Sequence, residues 1–94
     1  MKATLLFKER VTISSANTVH SLIWQVPEPV LGSSHLYKYS LAYVVNDVCV
    51  LRYDNERAKG DHRHLGVEET SYAFTTIDQL YADFWVDVID WRRE

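Results

Sequence analysis

Apolar and polar residues alternate through most of the chain up to Asp54, and that period predicts strands. In residues 3–13, Leu5, Phe7, Val11 and Ile13 alternate with Lys8, Arg10 and Thr12, as in a half-buried strand, and Glu9 interrupts the apolar face once. Ser14-Ser15-Ala16-Asn17 is small and polar, which predicts a turn into a second strand over residues 18–26. There Leu22, Trp24 and Val26 share one face and His20 stands at the start. Pro27 and Pro29 then remove backbone donors, and Gly32-Ser33-Ser34 extends the break into a loop.

A hairpin follows. Tyr37, Tyr39, Leu41, Tyr43 and Val45 alternate with Lys38, Ser40, Ala42 and Val44, and Asn46-Asp47 supplies two residues that tolerate the positive φ of a type I′ turn. The return strand covers residues 48–54. A regular two-residue turn sets Tyr43 against Val50, Leu41 against Arg52 and Tyr39 against Asp54, so Arg52 and Asp54 are expected at the end of an apolar face beside Tyr37 and Tyr39. On the same register Cys49 reads as a small core residue. Residues 52–64 are expected to run from that strand end into a loop, and residues 65–74 to hold a short fifth strand interrupted by Gly66.

Thr76-Ile77-Asp78-Gln79 has the pattern of a capping box, so a helix is predicted from there. Ile77, Leu80, Tyr81, Phe84, Trp85, Val88 and Ile89 recur at helical spacing, with Asp78, Asp83, Asp87 and Asp90 opposite. Arg92 and Arg93 suit the negative end of the helix dipole. The expected fold is α+β: a single domain over residues 1–94, with an antiparallel sheet of four to five strands and one C-terminal helix packed on one face. The Trp85 and Trp91 end of the helix reads as core or as a dimer or partner surface.

Composition narrows the function classes. With 47% hydrophobic and 13% aromatic residues in 94, the chain can bury one modest core. A formal net charge of −3 argues against a non-specific nucleic-acid coat, which needs many phosphate-neutralising cations. One cysteine allows no internal disulfide, and with no secretory pattern at the start a reducing, cytoplasmic setting is expected. No apolar run reaches the ~20 residues of a membrane helix.

Chemistry is concentrated in residues 52–64, R-Y-D-N-E-R-A-K-G-D-H-R-H, which hold three arginines and two of the four histidines. In an extended segment His62 and His64 point to one side and Arg63 to the other. Two imidazoles on one face suit general acid–base cleavage of a phosphodiester, since histidine is the side chain that ordinarily titrates near neutral pH. Asp54 would orient Arg52 or a histidine. Arg52, Lys59, Arg63 and Arg57 are candidates for binding phosphate, and Tyr39 and Tyr37 for stacking on bases. The same imidazoles with Asp54 or Asp61 have the donor types for a divalent metal, although without a cysteine pair a structural zinc site is not expected, and the favoured mechanism uses no metal or cofactor. Plainer readings stand beside these. A His-Arg-His run is often a solvated loop, Arg52 with Asp54 an edge ion pair worth ~0–1 kcal/mol, and a tyrosine row core packing. His20 and His35 read as a strand-face and a loop residue.

A strand carrying Lys38-Tyr39-Ser40-Leu41, then Arg52-Tyr53-Asp54-Asn55, then Lys59-Gly60-Asp61-His62 with His64, and last a capped helix, resembles the TumE family of small prokaryotic toxins. The sequence departs from the family pattern at Asp61, where relatives often carry proline. The resemblance implies a cytoplasmic toxin paired with a cognate helix-turn-helix antitoxin and acting on RNA. The residues themselves leave open a non-enzymatic binding module and a metal-dependent phosphodiester hydrolase.

Overall fold

The computed structural model describes residues 2–92. Six strands, β1 (Thr4–Ser14), β2 (Asn17–Gln25), β3 (Tyr37–Val45), β4 (Val48–Asp54), β5 (His62–Leu65) and β6 (Glu68–Ser71), precede one helix, α1 (Ile77–Arg92). The strands form a single antiparallel sheet in the order β1-β2-β3-β4-β5-β6, each paired with its neighbour in sequence. The expected class is therefore correct, but the sheet has six strands and not four or five. The additional strand arises because Gly66, at φ 59°, turns the chain between His62–Leu65 and Glu68–Ser71. The segment expected to be one strand with a loop before it is a hairpin that begins at His62.

Asn46 and Asp47 adopt φ 50° and 65°, the I′ turn that their residue types favour. The register beyond the turn corrects the sequence expectation. Val45 pairs with Val48 and Val44 with Cys49, but Tyr43 then pairs with Leu51, Leu41 with Tyr53, Ala42 with Arg52 and Ser40 with Asp54. Val50 is the extra residue of a β-bulge, and a slip of one residue exchanges the faces of everything after it. Leu51 and Tyr53 thereby enter the core, whereas Arg52 and Asp54 emerge on the opposite face from Tyr39 and Tyr43. Cys49, on the turn side of the bulge, is exposed and not part of the core.

The helix covers the face that carries Val19, Ile23, Leu41, Tyr43, Leu51 and Tyr53, all at most 3% exposed, and inserts Leu80, Phe84 and Val88 among them. At roughly 25 cal/mol per Å², burying side chains of this size is worth about 1.5–3 kcal/mol each. Trp91 packs edge-on against Tyr43 with ring centroids 5.5 Å apart, so that end of the helix contributes to the core. Ile89, placed by its spacing on the apolar stripe, is half exposed. The cap is partly as expected: the Gln79 amide donates to Thr76 Oγ1 at 3.1 Å, but the Gln79 side chain donates forward to Asp83 and does not return to Thr76. Asp83 and Asp87 are only partly exposed and do not simply face solvent. Tyr72 donates to Asp83 at 2.6 Å, and Tyr53 and Arg63 Nε both donate to Asp87, the latter at 2.6 Å. These carboxylates tie the helix to the end of the sheet where β4 and β5 meet. Arg93 lies outside the described residues.

Candidate active site

The face of the sheet away from the helix carries the chemistry. β4 and β5 pair so that Arg52 lies opposite His64 and Asp54 opposite His62, and alternation places all four on the open face. The imidazoles of His62 and His64 stand 4.6 Å apart, edge to face. Asp54 lies between the other groups, with Oδ1 2.7 Å from His62 Nε2 and Oδ2 2.8 Å from Arg52 Nε. Glu69, from β6, closes the far side at 3.7 Å from His62 Nε2 and 3.8 Å from His64 Nδ1. Its paired position across from His64 is what brings it there. Although it is on the open face, the His62 residue is only 3% exposed, since these neighbours surround it.

One anchor sets the ring of His62: its Nδ1 lies 2.8 Å from the carbonyl oxygen of Gly60. Nε2 is thereby turned toward Asp54. The contacts around Asp54 are close but poorly directed. Asp54 Oδ1, His62 Nε2, Arg52 Nε and His64 Nε2 are buried atoms that complete no hydrogen bond within the protein. Buried polar atoms are normally satisfied, so four unsatisfied ones in one cluster make it the candidate site of the sheet. Asp54, His62 and His64 each offer a ligand atom, all within 4.8 Å of one another, and two imidazoles with one carboxylate suit a divalent transition metal. The Gly60 carbonyl on His62 Nδ1 is the kind of outer contact that orients a metal-binding histidine.

The other residues singled out from the sequence are not at this spot. Arg63, alternating with the histidines, lies on the covered face in its ion pair with Asp87, whose hydrogen bond and charge hold its guanidinium above the ordinary range against the opposing effect of burial. Arg57 and Lys59 are exposed in the loop after β4, and Lys59 lies 3.6 Å from Glu56. Tyr39 is 3% exposed on the covered face, leaving no ring surface for a base. It stacks with Phe74, and its hydroxyl donates to Asp61 at 2.8 Å. Tyr37 belongs to the same cluster.

That cluster is a structural strap that sequence reasoning missed. Asp61 accepts from Ser33, His35 and Tyr39. His35 stacks on Phe74 with centroids 3.8 Å apart, so it is more than a loop residue. Buried Asn55 accepts from the Tyr39 amide at 3.0 Å and donates to the Tyr37 carbonyl at 2.6 Å. Gly32 and Gly60, at φ 100° and 75°, let the two loops touch: a Cβ on Gly32 would lie 2.7 Å from the Gly60 nitrogen. The strap thus fixes the carbonyl that aims His62. The two glycines were its available signal in the sequence, since positive φ and close backbone approach are what glycine permits.

Residues 3–92 match the model of the family described as Toxin TumE. No curated protein and no solved structure matches the chain. Among the described residues no helix is long and apolar enough to cross a membrane. With the match spanning nearly the whole sequence, the chain belongs to the TumE toxin family.

Proposed function

We propose that this toxin cleaves RNA at the open-face site, with His62 and His64 sharing acid–base duty, Arg52 meeting the phosphate and Asp54 orienting both His62 and Arg52. The observation that carries this reading is the convergence of the two imidazoles, the carboxylate and the guanidinium with hydrogen-bonding capacity unused. In the reaction, one imidazole takes the proton of a ribose 2′-hydroxyl, the 2′-oxygen bonds to phosphorus, and the bond from phosphorus to the 5′-oxygen breaks. The second imidazole gives its proton to that leaving oxygen, so the products are a 2′,3′-cyclic phosphate and a 5′-hydroxyl. His62, whose Nδ1 is held at the Gly60 carbonyl, and His64 share the two proton transfers through Nε2 atoms that are unpartnered in both rings. Arg52 and Glu69, with half-exposed side chains, cover the histidines and move aside for substrate. Arg57 and Lys59, in the exposed loop, remain candidates for contacts to more distant phosphates. In this reading the toxin works in the cytoplasm and is neutralised by a cognate helix-turn-helix antitoxin, and a homodimer is an open arrangement.

A metal-dependent hydrolase is the second reading, favoured by the three converging donors. An ion held there would activate water and the histidines would be its ligands. One pair of measurements separates the readings. Expressed without antitoxin, the chain is expected to arrest growth and its His62→Ala/His64→Ala variant is not; arrest by the double variant removes the site from the mechanism. RNA cleavage by the purified chain that persists in excess chelator supports acid–base chemistry, and cleavage abolished by chelator and restored by one divalent ion supports the metal.

A further inference from the structure

The open face extends well beyond the four site residues. Pairing across the sheet aligns Arg10, His20, Ala42, Arg52, His64 and Glu69 in one row, and Lys8, Leu22, Ser40, Asp54, His62 and Ser71 in the next. The central strand contributes only Ser40 and Ala42 to these rows, so the sheet is lowest in the middle. A trough of about 610 Å³ lies over Lys8, Arg10, His20, Leu22 and Ser40. A second hollow, bounded by Trp24, Lys38 and Ser40, adjoins it, and a third leads from Lys38 and Ser40 to Arg52 and Asp54. Ser40 borders all three, so they form one path from β1 to Arg52 and Asp54, on the strand beside the histidines. Three strand spacings of ~4.8 Å make that path roughly 14 Å long.

Charge on the open face is graded along the sheet. The open-face positions of β1 to β3 carry Lys8, Arg10 and Lys38 and no acidic side chain, whereas Asp54 and Glu69 stand with Arg52 and the histidines on β4 to β6. Glu9, between Lys8 and Arg10 in sequence, turns to the covered face, where it accepts from Tyr81 of the helix. The net charge of −3 therefore hides a cationic stretch of the open face. We infer that this trough is the binding path for a single strand of RNA. Lys8, Arg10 and Lys38 take the phosphates, Trp24 and His20 offer ring faces to unstacked bases, and the strand is led to His62 and His64. This rests on the ribonuclease reading and adds where the flanking nucleotides lie. A row of separated cations interleaved with aromatic rings over a floor of small side chains is the form in which proteins hold single strands with little dependence on sequence.

The test uses the complete chain and a fluorescein-labelled, 2′-O-methylated single strand, which binds without being cleaved, followed by anisotropy at several salt concentrations. Lys8→Glu/Arg10→Glu is expected to weaken binding at least tenfold and to reduce the salt slope by about 0.7 for each phosphate that the protein no longer neutralises. Trp24→Ala is expected to weaken it several-fold, and Asp90→Lys, on the helix, not to weaken it. Lys8 and Arg10 are exposed, so the double variant is expected to unfold like the parent; Lys38→Glu is a second, independent reversal. If the parent cleaves RNA but both reversals leave affinity and salt slope unchanged, the trough is overturned and the catalytic reading stands. If the reversals abolish antitoxin binding and leave the strand unaffected, the face is a protein-docking surface and the inference is overturned. If the parent neither binds nor cleaves single strands, the inference and the ribonuclease reading fall together.

Discussion

The two faces of this sheet are built from the same strands and differ in almost every physical respect. On the covered face, Tyr43, Leu41 and Leu51 are 0–1% exposed and lock with Leu80, Phe84 and Val88 of the helix. On the open face, Ser40, Ala42, Arg52 and His64 pack against nothing from another layer. One face holds the fold together, and the other is free to hold reactive groups at short range. The faces are kept apart by alternation alone, so the division depends on register and register depends on Val50. A single inserted residue turns Leu51 and Tyr53 inward while delivering Arg52 and Asp54 to the histidines. Bulges beside functional sites commonly re-aim side chains in this way.

The sharpest way to break the comparison is therefore to exchange the inward and outward residues of β4 while Val50 stays in place, as Leu51→Arg/Arg52→Leu/Tyr53→Asp/Asp54→Tyr. With the observed pairing retained, positions 51 and 53 face the helix, so the exchange turns a guanidinium and a carboxylate into the core and a leucine and a tyrosine out. Each ion buried away from its partners costs several kcal/mol, comparable with the ~5–15 kcal/mol that hold a domain of this kind together. The expected result is loss of the cooperative urea transition and of the near-ultraviolet circular dichroism signal. A variant that unfolds cooperatively with parental stability would show that β4 sheds the bulge and re-pairs freely, so that the bulge is not what separates the faces.

Next in size is a direct contrast between the layers. Phe84→Ala, at a position 0% exposed, is expected to cost about 3–5 kcal/mol in urea unfolding, from the forfeited transfer energy and the cavity left behind. His20→Ala, exposed on the open face, is expected to change stability by no more than ~0.5 kcal/mol. Comparable destabilisation by the two would mean that the open face is itself packed.

The same contrast explains how far the sequence could be read. The first two strands, the Asn46-Asp47 turn, the Thr76 cap and the stripe through Leu80, Phe84 and Val88 were legible because each is a local signal: period, turn chemistry or capping. Val50 was not, since an apolar residue looks alike on either side of a bulge and the shift becomes visible only across the strand pair. β5 was hidden for another reason. His62-Arg63-His64 is polar on both faces, because one face is the site and the other is an ion pair to Asp87, so its alternation carries no hydrophobic contrast. The reactive types in residues 52–64 could be named beforehand, but Glu69 and the Gly60 carbonyl reach the site through pairing and loop packing that no local pattern records. The segregation of charge follows from the same register and was concealed by the net value.

The smallest predicted effect tests the seam where the two faces meet the helix. Tyr53 is core by burial, yet its hydroxyl donates to Asp87, which also receives Arg63 from β5. Burial first, and then the hydrogen bond and charge of Asp87, push its phenol well above the ordinary 10.0. Tyr39 and Tyr72 are raised for the same reasons, through Asp61 and Asp83. A phenol whose folded value exceeds its unfolded one contributes stability that is complete below the unfolded value and is lost as pH rises above it. Stability is therefore expected to be insensitive to these groups below about pH 10 and to fall beyond it, with these three phenols ionising only as the chain unfolds. Tyr53→Phe is expected to cost ~1 kcal/mol at neutral pH, the net worth of one hydrogen bond, and to make the alkaline fall shallower. An unchanged alkaline slope in Tyr53→Phe, measured by urea unfolding from neutral pH to above pH 10, would mean that the contact with Asp87 does not join the sheet to the helix.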